Sequence, residues 1–113
     1  MTILRGDIWE VDFNPTIGRE QSGRRPAVII SVDEFNSSGS ETVIAIPITS
    51  KDKGIRTHVF VPAKEHGISN LDSFIICDQI RTISQKRLHK RIGSVSQTTL
   101  RQVGYILQKL LKI

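Results

Sequence analysis

The sequence has one cysteine, Cys77, in 113 residues, so no intrachain disulfide framework can form. A chain without disulfides is expected in a reducing compartment. No stretch approaches the roughly 18 apolar residues that a membrane-spanning helix needs, and no membrane partner is expected. The start, Met1-Thr2-Ile3-Leu4-Arg5-Gly6-Asp7, has neither the basic region nor the apolar stretch of a secretory signal. The expected location is therefore cytoplasmic. Metal-binding spacing is missing too: His58, His66 and His89 lie far apart, and neither H-x-x-x-H nor C-x-x-C occurs. No G-x-S-x-G and no Walker-type glycine loop is present, which removes the signatures of serine hydrolases and NTPases. Repeats and low-complexity tracts are absent as well. Neither a metal nor an organic cofactor is expected. Arg5-Gly6-Asp7 reads as strand entry and Asn36-Ser37-Ser38 as loop, with no adhesion or glycosylation role.

What is present is positive charge. Sixteen Lys and Arg stand against eleven Asp and Glu, giving a net charge of +5 and a pI near 9.8. That balance suits a polyanionic partner, either nucleic acid or an acidic protein segment. The length fits one domain over residues 1–113, with one ordinary core.

The patterning predicts strands first and a helix last. In Asp7–Phe13 the apolar Trp9, Val11 and Phe13 alternate with Glu10 and Asp12, the period of a half-buried strand. Pro26–Val32 is continuously apolar and β-branched, as in a strand buried on both faces. Thr42–Ile48 is a third strand, and Pro47 sets its end at an edge or bulge. Thr57–Val61 and a long strand from Asp72 to Ile83 follow, with Arg91–Val95 as a short last strand. From Ser96, a candidate N-cap, Leu100, Val103, Ile106, Leu107, Leu110 and Leu111 recur at helical spacing. Gly104 within this helix is expected to mark a close approach to the sheet. A helical turn is expected over Ser84–Leu88. The fold class is α+β, mainly β: a compact, barrel-like domain.

Two loops carry cations: Asn14–Arg24, with Arg19, Arg24, Gly18 and Gly23, and Thr49–Arg56, with Lys51, Lys53 and Arg56. Loops that long in a small domain are more often functional than idle. If both met at one end of the barrel, they would form a phosphate-attracting mouth. Pro26 biases Arg25 toward extended geometry, so Arg25 would project from a rigid element, suited to a bidentate grip on phosphate. A solvated surface arginine is the plain alternative. Gln79 and Arg81 are expected to share one face of the long strand, either as a polar patch or in cross-strand pairs. His58 reads as a core or edge histidine before a catalyst, Cys77 as inert packing in a strand, and Lys86–Arg91 as a solvated basic face.

Residues 5–26, from Arg5-Gly6-Asp7-Ile8-Trp9 to Gly23-Arg24-Arg25-Pro26, resemble the opening of the MazF/PemK toxin family. So do Ile46-Pro47-Ile48-Thr49-Ser50, Thr57-His58-Val59 and Asp78-Gln79-Ile80-Arg81-Thr82-Ile83. The four blocks keep the family's order and spacing over nearly the whole chain. The resemblance implies a CcdB/PemK-like fold, an SH3-like twisted antiparallel barrel with a C-terminal helix, assembled as a homodimer. It implies a type II toxin–antitoxin endoribonuclease that cleaves single-stranded RNA at a short recognition sequence. It also implies a cognate antitoxin whose acidic disordered tail fills the RNA groove.

In the family, the Arg before Pro and the Thr ending the third strand carry the chemistry, here Arg25 and Thr49. The implied reaction is attack of the substrate's own 2′-hydroxyl on the adjacent phosphorus, without metal, leaving a cyclic phosphate and a free 5′-hydroxyl. A guanidinium stays protonated, so Arg25 is assigned mainly to stabilising the charged phosphorane, with proton delivery to the leaving oxygen only a secondary option. Thr49 would hydrogen-bond a non-bridging oxygen. Glu20, Gln21, Ser22, Arg24, Ser50, Lys51, His58, Gln79 and Arg81 are the candidates for binding RNA. One departure is visible: Ser84 stands where the family commonly has Asp, and both residues cap helices well. Two other functions compete. A CcdB-like gyrase poison would act by protein–protein contact, through hydrophobic residues near the chain's end. A degenerate module would bind RNA without cutting it.

Overall fold

The alternating segments fold as antiparallel strands. The computed structural model describes residues 1–15, 17–20 and 23–113. The strands are β1 (Asp7–Asp12), β2 (Arg24–Ile29), β3 (Thr42–Thr49), β4 (His58–Val61), β5 (Ser73–Ile76), β6 (Arg81–Ser84) and β7 (Leu88–Ser94). The helices are two single turns, α1 (Asp33–Asn36) and α2 (Ala63–His66), and the long C-terminal α3 (Gln97–Leu111). The turn expected after Ser84 is a single 3-10 turn over Gln85–Arg87, begun by the Ser84 hydroxyl accepting from the Lys86 amide at 3.2 Å.

The strand order is β4-β5-β3-β2-β1-β7, with β6 on the other half of β3's edge. The end strands β4 and β7 do not pair, so the expected barrel is an open sheet. The free edge of β7 carries exposed Lys90, and its pairing with β1 is interrupted by two register shifts. Charge and bulges of this kind discourage further strand pairing.

The long strand expected over Asp72–Ile83 is two strands. Ile48 pairs with Ile75 and Ala45 with Arg81, so three residues along β3 correspond to six along β5–β6. The surplus is extruded as a 3-10 turn, Cys77–Gln79. Pro47 lies where β3 changes partner. The Ile30 amide donates to the Ile44 carbonyl, which turns the even residues of β3 toward β2 and Pro47's nitrogen toward the gap between β6 and β5. Its missing donor costs no ladder bond.

Each sheet face has its own core. Ile8, Val28, Ile46, Ile48, Val59, Val61 and Ile75 pack against Leu100, Val103 and Leu107 of α3. On the other face, Trp9, Val11, Phe13, Ala27, Ile29, Val43 and Ala45 cluster with Ile83 and Leu88. Ser96 caps α3, accepting from the Thr99 amide at 3.1 Å. Glu65 of α2 then accepts from the Ser96 and Thr99 hydroxyls at 2.9 and 2.8 Å, placing a carboxylate at the helix's positive end.

Gly104 does not mark a close approach, since a Cβ there would meet nothing within 4 Å. The close approach is at Gly93, where a Cβ would stand 2.3 Å from the His66 carbonyl oxygen of α2. Arg5-Gly6-Asp7 is structural: the buried Asp7 carboxylate accepts from the Leu4 amide and from Arg91 Nε, each at 3.0 Å.

Candidate active site

Arg25 stands on β2 opposite Val11 of β1. Ala27 pairs with Pro47 at the last rung of the β2–β3 ladder, and by alternation Arg25 and Thr49, two residues beyond it on each strand, point to the same face. Thr49 in turn pairs with Phe74 of β5, and Phe74 with Phe60 of β4. Opposed residues of antiparallel strands share a face. Val11, Arg25, Thr49, Phe74 and Phe60 therefore form one row across the sheet, and at its β4 end Phe60 also lines a groove with Thr98, Arg101 and Tyr105 of α3. Arg25 is half-buried and Thr49 buried. The Thr49 hydroxyl oxygen accepts from the Lys51 amide at 3.2 Å, which leaves its own proton to donate outward. The Phe60 and Phe74 rings lie 5.6 Å apart and tilted, with Phe60 51% exposed. An exposed aromatic pair beside a cation and a hydroxyl offers a surface for a nucleobase next to contacts for its phosphate. The sequence reading misses these two phenylalanines, because a strand phenylalanine reads as core until its row is known.

Arg81 belongs to the same face. It pairs with Ala45 of β3, and its guanidinium sits 5.6 Å from the centroid of the Phe13 ring. It also lines a cleft of about 570 Å³ whose walls are Arg19 and Glu20 of the 14–23 loop and the segment 78–82. Gln79 lies in this wall too, but on the 3-10 turn, so it does not share a strand face with Arg81 as expected. The Thr57 hydroxyl donates to Asp78 Oδ1 at 2.7 Å and ties the turn to the entrance of β4.

The remaining candidates disperse. Arg24 points to the opposite face of β2 from Arg25, 3.9 Å from Glu10 in an exposed ion pair. Glu20 accepts from the Ile17 amide at 2.7 Å, closing a turn within its own loop. Ser50 and Lys51 are exposed just beyond β3, and the 49–56 loop is not among the described residues lining the cleft. The two basic loops leave the sheet at the same end, before Arg24 and after Thr49, but among the described residues only the first lines this cleft. His58 keeps only 6% of its side chain exposed, with Nε2 4.0 Å from Asp78 Oδ1 and Nδ1 unpaired among the described residues. Gln21 and Ser22 lie outside the described residues. Arg19, by contrast, enters the cleft, where the sequence marked it only as a loop cation.

Cys77 is buried in the 3-10 turn and not in a strand. Burial first, and the Asp78 charge second, push its thiol up to about 12, so it carries no nucleophilic thiolate near neutral pH. Among the described residues no three His, Cys, Asp or Glu side chains converge as a metal site. No helix among the described residues is long and apolar enough to cross a membrane.

Residues 4–111 match the family described as PemK-like, MazF-like toxin of type II toxin-antitoxin system. The chain belongs to the MazF/PemK toxin family. It is 36% identical over 109 residues to the Endoribonuclease EndoA of Bacillus subtilis, covering 96% of this chain and 93% of that protein. MazF from Deinococcus radiodurans superposes with a TM-score of 0.88 at 26% identity, over 100% of this chain and 99% of the other. The same organism's MazF in a MazE-MazF structure matches with a TM-score of 0.82 at 26% identity, covering 100% and 99%. As a MazF/PemK toxin homologous to an endoribonuclease, the chain is an enzyme of RNA cleavage, and the gyrase-poison alternative is not favoured.

Proposed function

We propose that the chain cleaves single-stranded RNA at a short recognition sequence, with Arg25 and Thr49 as catalytic residues and without a metal. The observation that carries this reading is that Arg25 and Thr49 stand on one sheet face, at the same end of adjacent strands, beside the Phe60–Phe74 pair. The 2′-hydroxyl oxygen of the substrate attacks the adjacent phosphorus, and the bond from phosphorus to the 5′-oxygen breaks. The 2′-proton passes to water and the leaving oxygen takes a proton from water, giving a cyclic phosphate and a 5′-hydroxyl. Arg25 stabilises the phosphorane and hydrogen-bonds the leaving oxygen without giving up its own proton. Thr49 donates to a non-bridging oxygen. Phe60 and Phe74 stack a base, while Arg81, Arg19 and Gln79 hold the strand along the cleft.

The partners follow from the same surface. A cognate antitoxin with an acidic tail suits the +5 charge, and MazE-MazF structures provide the precedent. A homodimer is supported by the exposed apolar residues of α3, namely Tyr105, Leu110 and Leu111. The site of action is the cytoplasm, where messenger RNA is abundant.

Cleavage of a long single-stranded RNA in EDTA, with end-group analysis, tests the reading. Wild type should leave cyclic-phosphate ends, and Arg25→Ala should lose about a hundred- to thousandfold in rate while keeping its melting temperature. EDTA-sensitive cleavage, or an active folded Arg25→Ala, would defeat it.

A further inference from the structure

Lys86–Arg91 reads as a solvated basic run, yet Arg87 turns inward. β7 begins at Leu88, opposite Val11 of β1, so β1 outruns its neighbour by the end of the strand. The Phe13 amide donates to the Gly23 carbonyl on the β2 side at 3.0 Å. By alternation, the Asp12 and Asn14 carbonyls face the side where β7 has stopped. Backbone carbonyls in that position need a substitute donor. Arg87 supplies it: Nη1 donates to the Asp12 carbonyl at 3.1 Å and to the Asn14 carbonyl. The half-buried guanidinium thus extends the β1–β7 ladder with a side chain.

What it holds is the root of the 14–23 loop. Asn14 bridges that root, its Oδ1 accepting from the Gly23 amide at 3.1 Å while its own amide donates to Asp12 Oδ1 at 2.9 Å. Arg19 and Glu20, further along this loop, form one wall of the cleft. Asp12, Asn14 and Gly23 therefore fix where that wall leaves the sheet, and Arg87 fixes them to β7.

We propose that Arg87 is a positioning residue for RNA binding: by clamping the loop's root it sets the cleft, and it touches no substrate. This rests on the RNA-cleaving reading above. Because Arg25 and Thr49 are held by strands, loss of the clamp should weaken substrate binding and spare the chemical step.

The experiment compares the full-length wild type with Arg87→Met and Arg87→Lys, by steady-state cleavage of a short RNA carrying a wild-type cleavage site. Arg87→Met should raise KM roughly tenfold with kcat within about twofold, the loss of charge-assisted bonds to two carbonyls. Arg87→Lys, which keeps donors, should recover part of that loss. Deuterium exchange should quicken at the Phe13 and Gly23 amides of Arg87→Met and stay unchanged in β3. An unchanged KM, or a fall in kcat at unchanged KM, in a variant with wild-type melting temperature overturns the proposal. If Arg87→Met does not fold, Arg87→Lys decides by the same readouts. Should the wild type cleave no RNA, the function fails separately, and exchange alone decides the clamp: unchanged loop amides would refute it.

Discussion

The row that carries Arg25 and Thr49 and the cleft beside it are built on different principles. The row lies on paired strands, where each side chain's direction follows from the pleat and from neighbours on both sides. The cleft walls are irregular: a loop rooted through Asn14 and Arg87, and a 3-10 turn tied by Thr57 to Asp78. Chemistry needs placement to a fraction of an ångström, which strands supply. Selecting a short RNA sequence needs surfaces that can differ between relatives, which loops supply at lower structural cost. The comparison predicts that substitutions of Arg25 and Thr49 in the row act on kcat and substitutions in the walls act on KM.

Arg25→Ala is the largest test, with kcat down about a hundred- to thousandfold and KM changed little. Thr49→Val should follow in the same parameter at roughly ten- to a hundredfold, since one neutral donor is lost and volume is kept. Single-turnover kinetics at saturating RNA read both. If either variant instead raised KM at constant kcat, the row would be a binding surface and the division would fail. Arg81→Met bears on the boundary, because Arg81 stands on a strand but faces the cleft and Phe13. It should raise KM about three- to tenfold, in line with one phosphate or cation–π contact. A drop in kcat would join Arg81 to the row.

The two regions should also part at alkaline pH. The Cys77 thiol, which opens the turn bearing Asp78 and Gln79, is raised from 9.0 to about 12 in the fold. Between those values the native chain keeps a proton that the unfolded chain has lost. Its contribution to stability is whole below pH 9 and declines as pH climbs toward 12. The slope is up to about 1.4 kcal/mol per pH unit. Melting curves from neutral to alkaline pH should show wild type losing stability more steeply than Cys77→Ala. Parallel curves would mean that the thiol does not titrate with unfolding.

Periodicity made the strands under Val11, Arg25 and Thr49 legible before the structure, while only the resemblance singled out Arg25 and Thr49 as the catalytic pair, and Phe60 and Phe74 were missed. Trp9, Val11 and Phe13 set the phase of β1, the apolar run after Pro26 set β2, and Thr49 closed an unmistakable strand. The walls were not legible, for physical reasons. Residues 72–83 look like one strand, because β5, the turn and β6 are all apolar or β-compatible. Only the three-to-six mismatch against β3 forces the break. Gly104 was weighed by position alone and Gly93 drew no reading, because the neighbour that makes a glycine necessary, here the His66 carbonyl, is remote in sequence. Arg87 was lost in a basic run, since a bond from a side chain to a distant carbonyl leaves no periodic trace.

The smallest expected effect discriminates most sharply, because it concerns adjacent residues. Arg24 and Arg25 look equivalent in sequence, and both suit phosphate. The pleat sends them to opposite faces, Arg25 into the row and Arg24 toward Glu10 at 3.9 Å, largely exposed. An exposed pair at that distance contributes little, so Arg24→Ala should change stability by no more than about 0.5 kcal/mol. Its kcat should stay near wild type, and any rise in KM should be small and vanish in higher salt, as expected of a distant charge. Cleavage rates of the two alanine variants, measured side by side at two ionic strengths, settle the matter. If Arg24→Ala were as damaging as Arg25→Ala, strand geometry would not be what singles out the catalytic arginine. The β1–β2–β3 register would then have to shift by one residue at the loop's end.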